Sequence, residues 1–199
     1  MNKFYHTLCL LTISVMCCSS THSQTVDRIS QISEYCDNLD KLNVIQTVHK
    51  VGAGVTLEYI ISNGNVVKII ERPSGYKFIS GKETYYIQNN NIVYVNADIE
   101  ISNENIDTLT IELHKIYFDS RRIIKHLISE TTFSGDSLYN ANSDPTKTAD
   151  DIRKNAKFKP KRVDKEFERT LLQTIDNYLN ARTKKDGDPI LDKLYSPFI

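Results

Sequence analysis

The sequence has few cysteines, which cross-link small secreted folds, and no apolar run long enough to build a membrane-spanning helix. Tryptophan is absent, and only four cysteines occur among 199 residues, three of them within the first 18. Beyond that point only Cys36 remains, so an intramolecular disulfide framework is excluded. The apolar run from Leu8 to Cys18 has 11 residues, whereas a membrane-spanning helix needs about 20.

The chain also lacks an excess of charge of either sign. It carries 25 Lys and Arg against 25 Asp and Glu. Lys3 is the only charged residue before Gln24, so the rest of the chain has 24 basic and 25 acidic residues. This balance gives no overall attraction to nucleic acid or anionic lipid, and no nucleic-acid partner is expected. Abundant Ile, Val, Tyr and Asn with little Ala favour strands and turns.

The N-terminus has the order of a secretory signal. Lys3 precedes the short apolar run, and the small residues Thr21 and Ser23 are placed for cleavage before Gln24. Residues 1–23 are therefore predicted to be a cleavable signal peptide rather than a buried strand or helix. We expect an extracytoplasmic protein, either periplasmic, on the outer-membrane surface or secreted.

A second processing route is a lipoprotein signal that ends at Cys17 or Cys18, with that cysteine acylated. Met16 and Cys17 are poor residues for the position just before such a cysteine, so cleavage near Gln24 is favoured. Apart from this lipidation, the only predicted membrane contact is the basic stretch from Arg153 to Lys165.

Two segments have the periodicity of amphipathic helices. Apolar residues recur at steps of three and four near the N-terminus, and Cys36 lies on that stripe as a small buried residue. The segment from Val44 to Val51 either extends this helix or forms a first strand. The two stripes are Val26, Ile29, Ile32, Cys36, Leu39 and Leu42, and Phe167, Leu171, Ile175, Tyr178 and Leu179.

A weak internal repeat fills the middle of the chain. Three segments align without gaps, each with a β-rich arm, a polar turn and a second arm: 59–69, 85–95 and 116–126. Asn63-Gly64 is a strong two-residue hairpin signal, and Asn89-Asn90 tolerates the same geometry. Ser120-Arg121 tolerates it poorly, which leaves a longer or differently shaped third turn open. Short connections between the arms indicate antiparallel neighbours.

These patterns predict an α+β fold. We expect one domain over residues 24–199, with an antiparallel meander of about six strands in three hairpins, packed with an N-terminal and a C-terminal helix. A mobile polar and basic loop is expected at about 134–162. The apolar C-terminal tail is expected to dock back onto the domain.

Pairing centred on each two-residue turn assigns side chains to faces. It groups Tyr59 with Ile70 and Tyr85 with Tyr94, and it leaves both faces substantially apolar. Part of each face must then be covered by the terminal helices, by a sheet curled on itself, or by a ligand or partner. The same pairing places His114 and His126 on opposite faces, where they cannot share a metal ion or a proton.

No motif predicts a reaction, so no catalytic residue, cofactor or metal ligand is assigned. The hairpin segments Tyr59–Ile70, Tyr85–Val95 and Tyr117–Leu127 resemble those of small uncharacterised exported proteins of the bacterial envelope. The resemblance implies a style of fold and transfers no functional residue.

We expect a non-catalytic binding protein with a protein or apolar small-molecule partner. A periplasmic carrier of an apolar ligand and a hydrolase with an unrecognised site are the alternatives. Tyrosine is enriched in contact surfaces, so the candidate binding residues are Tyr59, Tyr85, Tyr86 and Tyr94. The alternative interpretation is that all four tyrosines are ordinary core residues. The oligomeric state is left open.

Overall fold

A computed structural model describes most of the chain after the predicted signal. The described residues are 23–42, 46–74, 76–103, 108–134, 145–185, 188–189, 191 and 194–198. Cys17 and Cys18 lie outside them, as does the predicted signal except for its last residue. The chain divides into two compact units, Met1–Lys41 and Leu42–Ile199. This boundary falls inside the segment predicted to be one domain, residues 24–199.

The first unit contains helix α1, residues 23–40. Ile32 and Cys36 on the predicted apolar stripe are buried, and the Cys36 thiol is free. Val26, on the same stripe one turn after the helix begins, is half exposed. The predicted N-terminal helix is therefore present.

The second unit contains an antiparallel sheet whose eight strands lie in chain order. The predicted class is confirmed, but the predicted six strands are too few. From Gln46 onward, the segment left open between helix and strand forms β1, and β8 has only two residues, too few to produce a pattern. The strands are β1 Gln46–Val51, β2 Val55–Ser62, β3 Asn65–Pro73, β4 Ile79–Gln88, β5 Asn91–Asn103, β6 Thr108–Asp119, β7 Arg122–Ser134 and β8 Lys159–Pro160.

Three hairpins close with two-residue turns in which both φ angles are positive, between 50° and 77°. The third turn has the same form as the others, although its residues disfavour it. Arg121 donates to both carboxylate oxygens of Asp176 at 3.1 and 2.7 Å, so a tertiary contact supports the unfavourable backbone. The turns are Asn63-Gly64, Asn89-Asn90 and Ser120-Arg121.

Each hairpin also has a β-bulge shortly after its turn. One residue of the second strand is left over at Val67, Val93 and Ile124. A one-residue insertion moves every later side chain of that strand to the other face. The pairing centred on the turns is therefore wrong beyond each bulge. Tyr59 shares its face with Ile69 rather than Ile70.

The face that carries Tyr59 is covered by helix α3, Lys165–Ala181, and is called the α3 face below. The predicted apolar stripe of this helix is confirmed. Asp164 caps its start by accepting a hydrogen bond from the Glu166 backbone nitrogen at 3.0 Å. The α3 residues buried in the core are Leu171, Ile175, Tyr178 and Ala181.

The opposite face is partly covered by helix α2, Pro145–Lys154, and is called the α2 face. Arg153 reaches the sheet, where its Nε lies 2.6 Å from Asp98 and its guanidinium also bonds Glu100. The hydrogen bond to Asp98 raises the pKa of Arg153 above its ordinary value. Within the segment predicted as a loop at about 134–162, Pro145–Lys154 forms helix α2 and Lys159–Pro160 forms strand β8. Residues 135–144 lie outside the described part.

Candidate functional site

A row of polar side chains crosses the apolar α3 face. Strand register makes Glu71 and Glu83 direct partners on β3 and β4, with Ala97 next on β5 and His114 on β6. Both glutamates are fully buried, and His114 is nearly so. Ionisable side chains are seldom fully buried unless they are paired, so this row is the most unusual feature of the described core.

Glu83 is held by hydroxyl groups on two elements. Tyr85, two residues along β4, donates to one carboxylate oxygen, and Ser196 of the C-terminal tail donates to the other. Glu71 differs. No hydroxyl or N–H of the described residues donates to its oxygens, and its hydrogen-bond partner is the Glu83 carboxyl, which requires a proton on one of the two groups.

Burial is the main cause that raises the pKa of Glu71, to about 11, and the neighbouring Glu83 carboxylate adds to the effect. Burial also raises the pKa of Glu83, while its hydrogen bonds to Glu71, Ser196 and Tyr85 work in the opposite direction. Unless a positive charge lies beside them, the two carboxyl groups therefore hold at least one proton between them at neutral pH. A protonated Glu71 can donate to Glu83.

His114 and His126 lie together on the α3 face, contrary to the prediction from the turn-centred pairing. The bulge at Ile124 shifts β7 by one residue, so His126 pairs with Ile116 and lies diagonally beside His114. The His114 Nδ1 and the His126 Nε2 are 3.0 Å apart. The ring of Phe167 stacks on His126 at 5.5 Å between centroids.

The contact with Glu112 determines which histidine donates the hydrogen bond between His114 and His126. Its carboxylate lies 3.2 Å from the His114 Nε2, which must carry a proton to bond it. The His114 Nδ1 is then the acceptor, and the His126 Nε2 donates to it. The His126 Nδ1 is left with no partner within the described part of the chain. Burial lowers the pKa of each histidine to about 4, so both are neutral at neutral pH.

The C-terminal tail covers both groups, as its apolar sequence predicted. Ser196 bonds Glu83, and the Phe198 ring lies 4.9 Å from that of His114. The tail is fixed further by the backbone nitrogen of Gly54, which donates to the Leu194 carbonyl at 3.2 Å. The same tail thus shields the carboxyl pair and the histidine pair from solvent.

The four tyrosines predicted as a binding surface do not share one face. Tyr59 and Tyr85 are buried on the α3 face, and the Tyr59 hydroxyl donates to the Tyr178 carbonyl at 2.6 Å. Tyr86 and Tyr94 lie on the α2 face with ring centroids 5.5 Å apart. Tyr86 is buried and Tyr94 is half-buried.

A cleft of about 510 Å³ lies at the edge of the sheet, between β7 and α2. Within the described residues, β8 is the only strand on the outer edge of β7, and it pairs only with Leu127 and Ile128. From residue 129 onward that edge has no strand partner among them. The cleft is lined by Ser129, Glu130, Thr131, Phe133, Asp151, Ile152, Asn155, Ala156 and Lys157.

Sequence reasoning missed the carboxyl pair and the cleft. The burial of the two glutamates could have been predicted from the period of two along each strand. Glu71 lies two residues from Ile69, and Glu83 lies two residues from Tyr85, so each glutamate shares a face with a core residue. No sequence pattern indicates the cleft, since it joins two elements separated by residues 135–144.

Among the described helices, none is both long and apolar enough to cross a membrane.

The described side chains include no group of three or more His, Cys, Asp and Glu placed to hold a metal ion. The chain also matches no protein-family model, no curated protein and no solved structure. Its function therefore has to be argued from the geometry of these sites.

Proposed function

We propose that this chain is a non-catalytic, extracytoplasmic binding protein of the bacterial envelope that takes an extended segment of a partner protein at the edge of β7. The observation that carries the proposal is the cleft between that edge and helix α2. Its volume of about 510 Å³ falls within the range of ligand sites in proteins, which is roughly 300–1,000 Å³.

The backbone of β7 can accept an additional strand. The Lys161 nitrogen donates to the His126 carbonyl at 2.9 Å on the outer edge, so the backbone groups of His126 point outward. Because alternate residues of a strand point the same way, those of Glu130 and Thr132 also point outward. Both residues are exposed. The six residues from 129 to 134 offer an edge about 20 Å long.

The cleft would contact every second side chain of the added strand. Thr131 and Phe133 project from β7 toward the α2 face, and Ile152 and Ala156 supply the apolar wall opposite. In strand addition the backbone bonds provide affinity and the pockets for alternate side chains provide specificity. We therefore expect an extended peptide with an apolar or aromatic residue at every second position.

The signal-like N-terminus supports a location outside the cytoplasm, because Lys3 and the 11-residue apolar run have the order of an export signal. The α3 face, where a carrier would hold an apolar ligand, is filled by α3 and the tail. For this reason we favour a protein partner over an apolar small molecule.

Proline at position 132 tests the proposal directly. Its ring removes the outward N–H and blocks an added strand, while the ladder to β6 uses the alternate residues and stays intact. Thr132→Val is the matched control, because both variants lose the 3.0 Å contact between the Thr110 and Thr132 hydroxyls. The probe is a phage-displayed library of random dodecapeptides, selected on residues 24–199.

The affinity of a selected peptide is then measured by fluorescence anisotropy. We expect Thr132→Val to bind like the wild type and Thr132→Pro to bind at least about tenfold more weakly, with similar melting temperatures for the two variants. Equal binding by both variants would show that the peptide does not add to β7. A wild-type dimer that becomes a monomer only in Thr132→Pro would show that the edge pairs with a second copy, which would also overturn the proposal.

A further inference from the structure

A second pocket, of about 270 Å³, lies between α3 and the C-terminal tail. Its side chains on α3 make no hydrogen bond to another residue within the described part of the chain, so their donors and acceptors are available to a ligand. The charged residues Glu168, Arg169 and Asp176 of the same helix, in contrast, all have partners. The wall on α3 consists of four uncharged polar residues at helical spacing, on one side of the helix: Thr170, Gln173, Thr174 and Asn177.

The tail forms the opposite wall, and internal contacts fix its position. The Tyr178 hydroxyl donates to the Tyr195 carbonyl at 2.8 Å, and Ser196 donates to the buried Glu83. A Cβ at Gly54 would lie 2.6 Å from the Tyr195 Cδ1, so the ring packs closely on the backbone between β1 and β2. Tyr195 is nevertheless half exposed. This wall is formed before a ligand arrives, which reduces the entropy cost of binding.

We propose that this pocket binds one ring of a neutral sugar. None of the described residues that line it is charged, so it offers no counter-charge to an ionic ligand. Threonine hydroxyls and the amides of Asn and Gln both donate and accept hydrogen bonds, as sugar hydroxyls do. Tyr195 and Pro197 add apolar surface, against which the C–H groups of a sugar ring can pack.

The size and the shape of the pocket agree with a single ring. Its volume of about 270 Å³ is just below the roughly 300–1,000 Å³ of sites for drug-sized ligands. Along the polar wall, Thr170 and Gln173 are exposed, whereas Thr174 and Asn177 are half-buried. We therefore expect a sugar to bond Asn177 at the more buried end of the wall. The exposed end leaves room for the next ring of a longer glycan.

The experiment titrates the isotope-labelled mature chain, residues 24–199, with glucose, galactose, mannose and N-acetylglucosamine in separate samples. Backbone amide chemical shifts report both the affinity and the place of binding. We expect at least one of these sugars to shift the amides around the pocket, with a dissociation constant of about 1 mM or lower. If none of the four shifts these amides, or if the shifts concentrate elsewhere in the protein, the proposal is overturned.

Asn177→Ala is the decisive variant, because it removes the amide at the more buried end of the polar wall. We expect it to bind the sugar about fivefold more weakly, the effect of one lost hydrogen bond. Asn180→Ala is the matched control, because Asn180 is an exposed residue of the same helix that does not line the pocket. Alanine raises helix propensity equally at both positions, so both variants should fold.

The control variant should bind the sugar like the wild type. Equal affinity in Asn177→Ala and the wild type, or an equal loss in both variants, would overturn the proposal. The pocket shares no lining residue with the cleft at β7, so either proposal can fail without the other.

Discussion

The neutral histidine pair predicts a specific dependence of stability on pH. The perturbation is His126→Gln, whose amide can still reach the His114 Nδ1 from the position of the imidazole Nε2. The new side chain does not titrate, so the variant removes one buried titratable group and keeps the hydrogen bond of 3.0 Å. The ring contact with Phe167 at 5.5 Å is lost as well, so we expect the variant to be less stable at pH 7.

The difference should shrink as the pH falls. In the unfolded chain His126 gains a proton below its ordinary pKa of 6.5, whereas in the folded protein its pKa is about 4. The unfolded state therefore binds more protons between pH 6.5 and 4, and the wild type loses stability as the pH falls through that window. A pKa lowered from 6.5 to about 4 corresponds to at most about 3 kcal/mol. The Gln variant lacks this loss, so the wild type should lose most of its advantage by pH 4.

The assay is urea denaturation followed by circular dichroism at pH 7, 6, 5 and 4 for both proteins. His49→Gln is the control, because His49 is an exposed residue on β1 outside the histidine pair, so this variant shows what a surface exchange of histidine for glutamine does in the same assay. A wild-type advantage that stays constant from pH 7 to pH 4 would show that His126 titrates alike in the folded and unfolded states. Burial would then not lower the pKa of His126 in the folded protein.

Two further predictions test the packing of the sheet. Gly81 has φ of +149°, and a Cβ there would lie 2.2 Å from the Asp98 carbonyl oxygen, so Gly81→Ala should lower the free energy of unfolding by at least about 2 kcal/mol. A smaller loss in urea denaturation would mean that β4 and β5 are farther apart at this point. Tyr59→Phe removes a buried hydrogen bond to the Tyr178 carbonyl and should destabilise by about 1 kcal/mol or more. An unchanged denaturation midpoint would contradict that bond.

The sequence predicted local structure well where one short pattern decides it. Asn63-Gly64 supplies the positive φ of a hairpin turn within two residues, and the stripe that includes Leu171 and Ile175 marks one helix face. Both signals depend on neighbouring residues only. The sequence did not predict the bulges, because no residue type at Val67, Val93 or Ile124 distinguishes an extra residue from a paired one.

The contacts between the two histidines and between the two glutamates were not predicted, because they too depend on strand register. A register that is wrong by one residue moves His126 to the opposite face, which hides its contact with His114. It also separates the predicted tyrosines into the wrong groups. Glu71 and Glu83 are 12 positions apart along the chain, and nothing local shows that β3 and β4 make them direct partners.

The amino-acid sequence by itself determined the elements of this protein: an antiparallel meander of hairpins, two amphipathic helices, a signal-like N-terminus and an apolar tail. Propensity, periodicity and turn chemistry act over a few residues, so they can be seen in the chain without its fold. Only the tertiary structure decided which face each strand presents, what the tail covers and which ionisable groups are buried together. Those properties depend on register and on contacts between distant segments, such as Ser196 with Glu83, and a one-residue bulge is enough to change them.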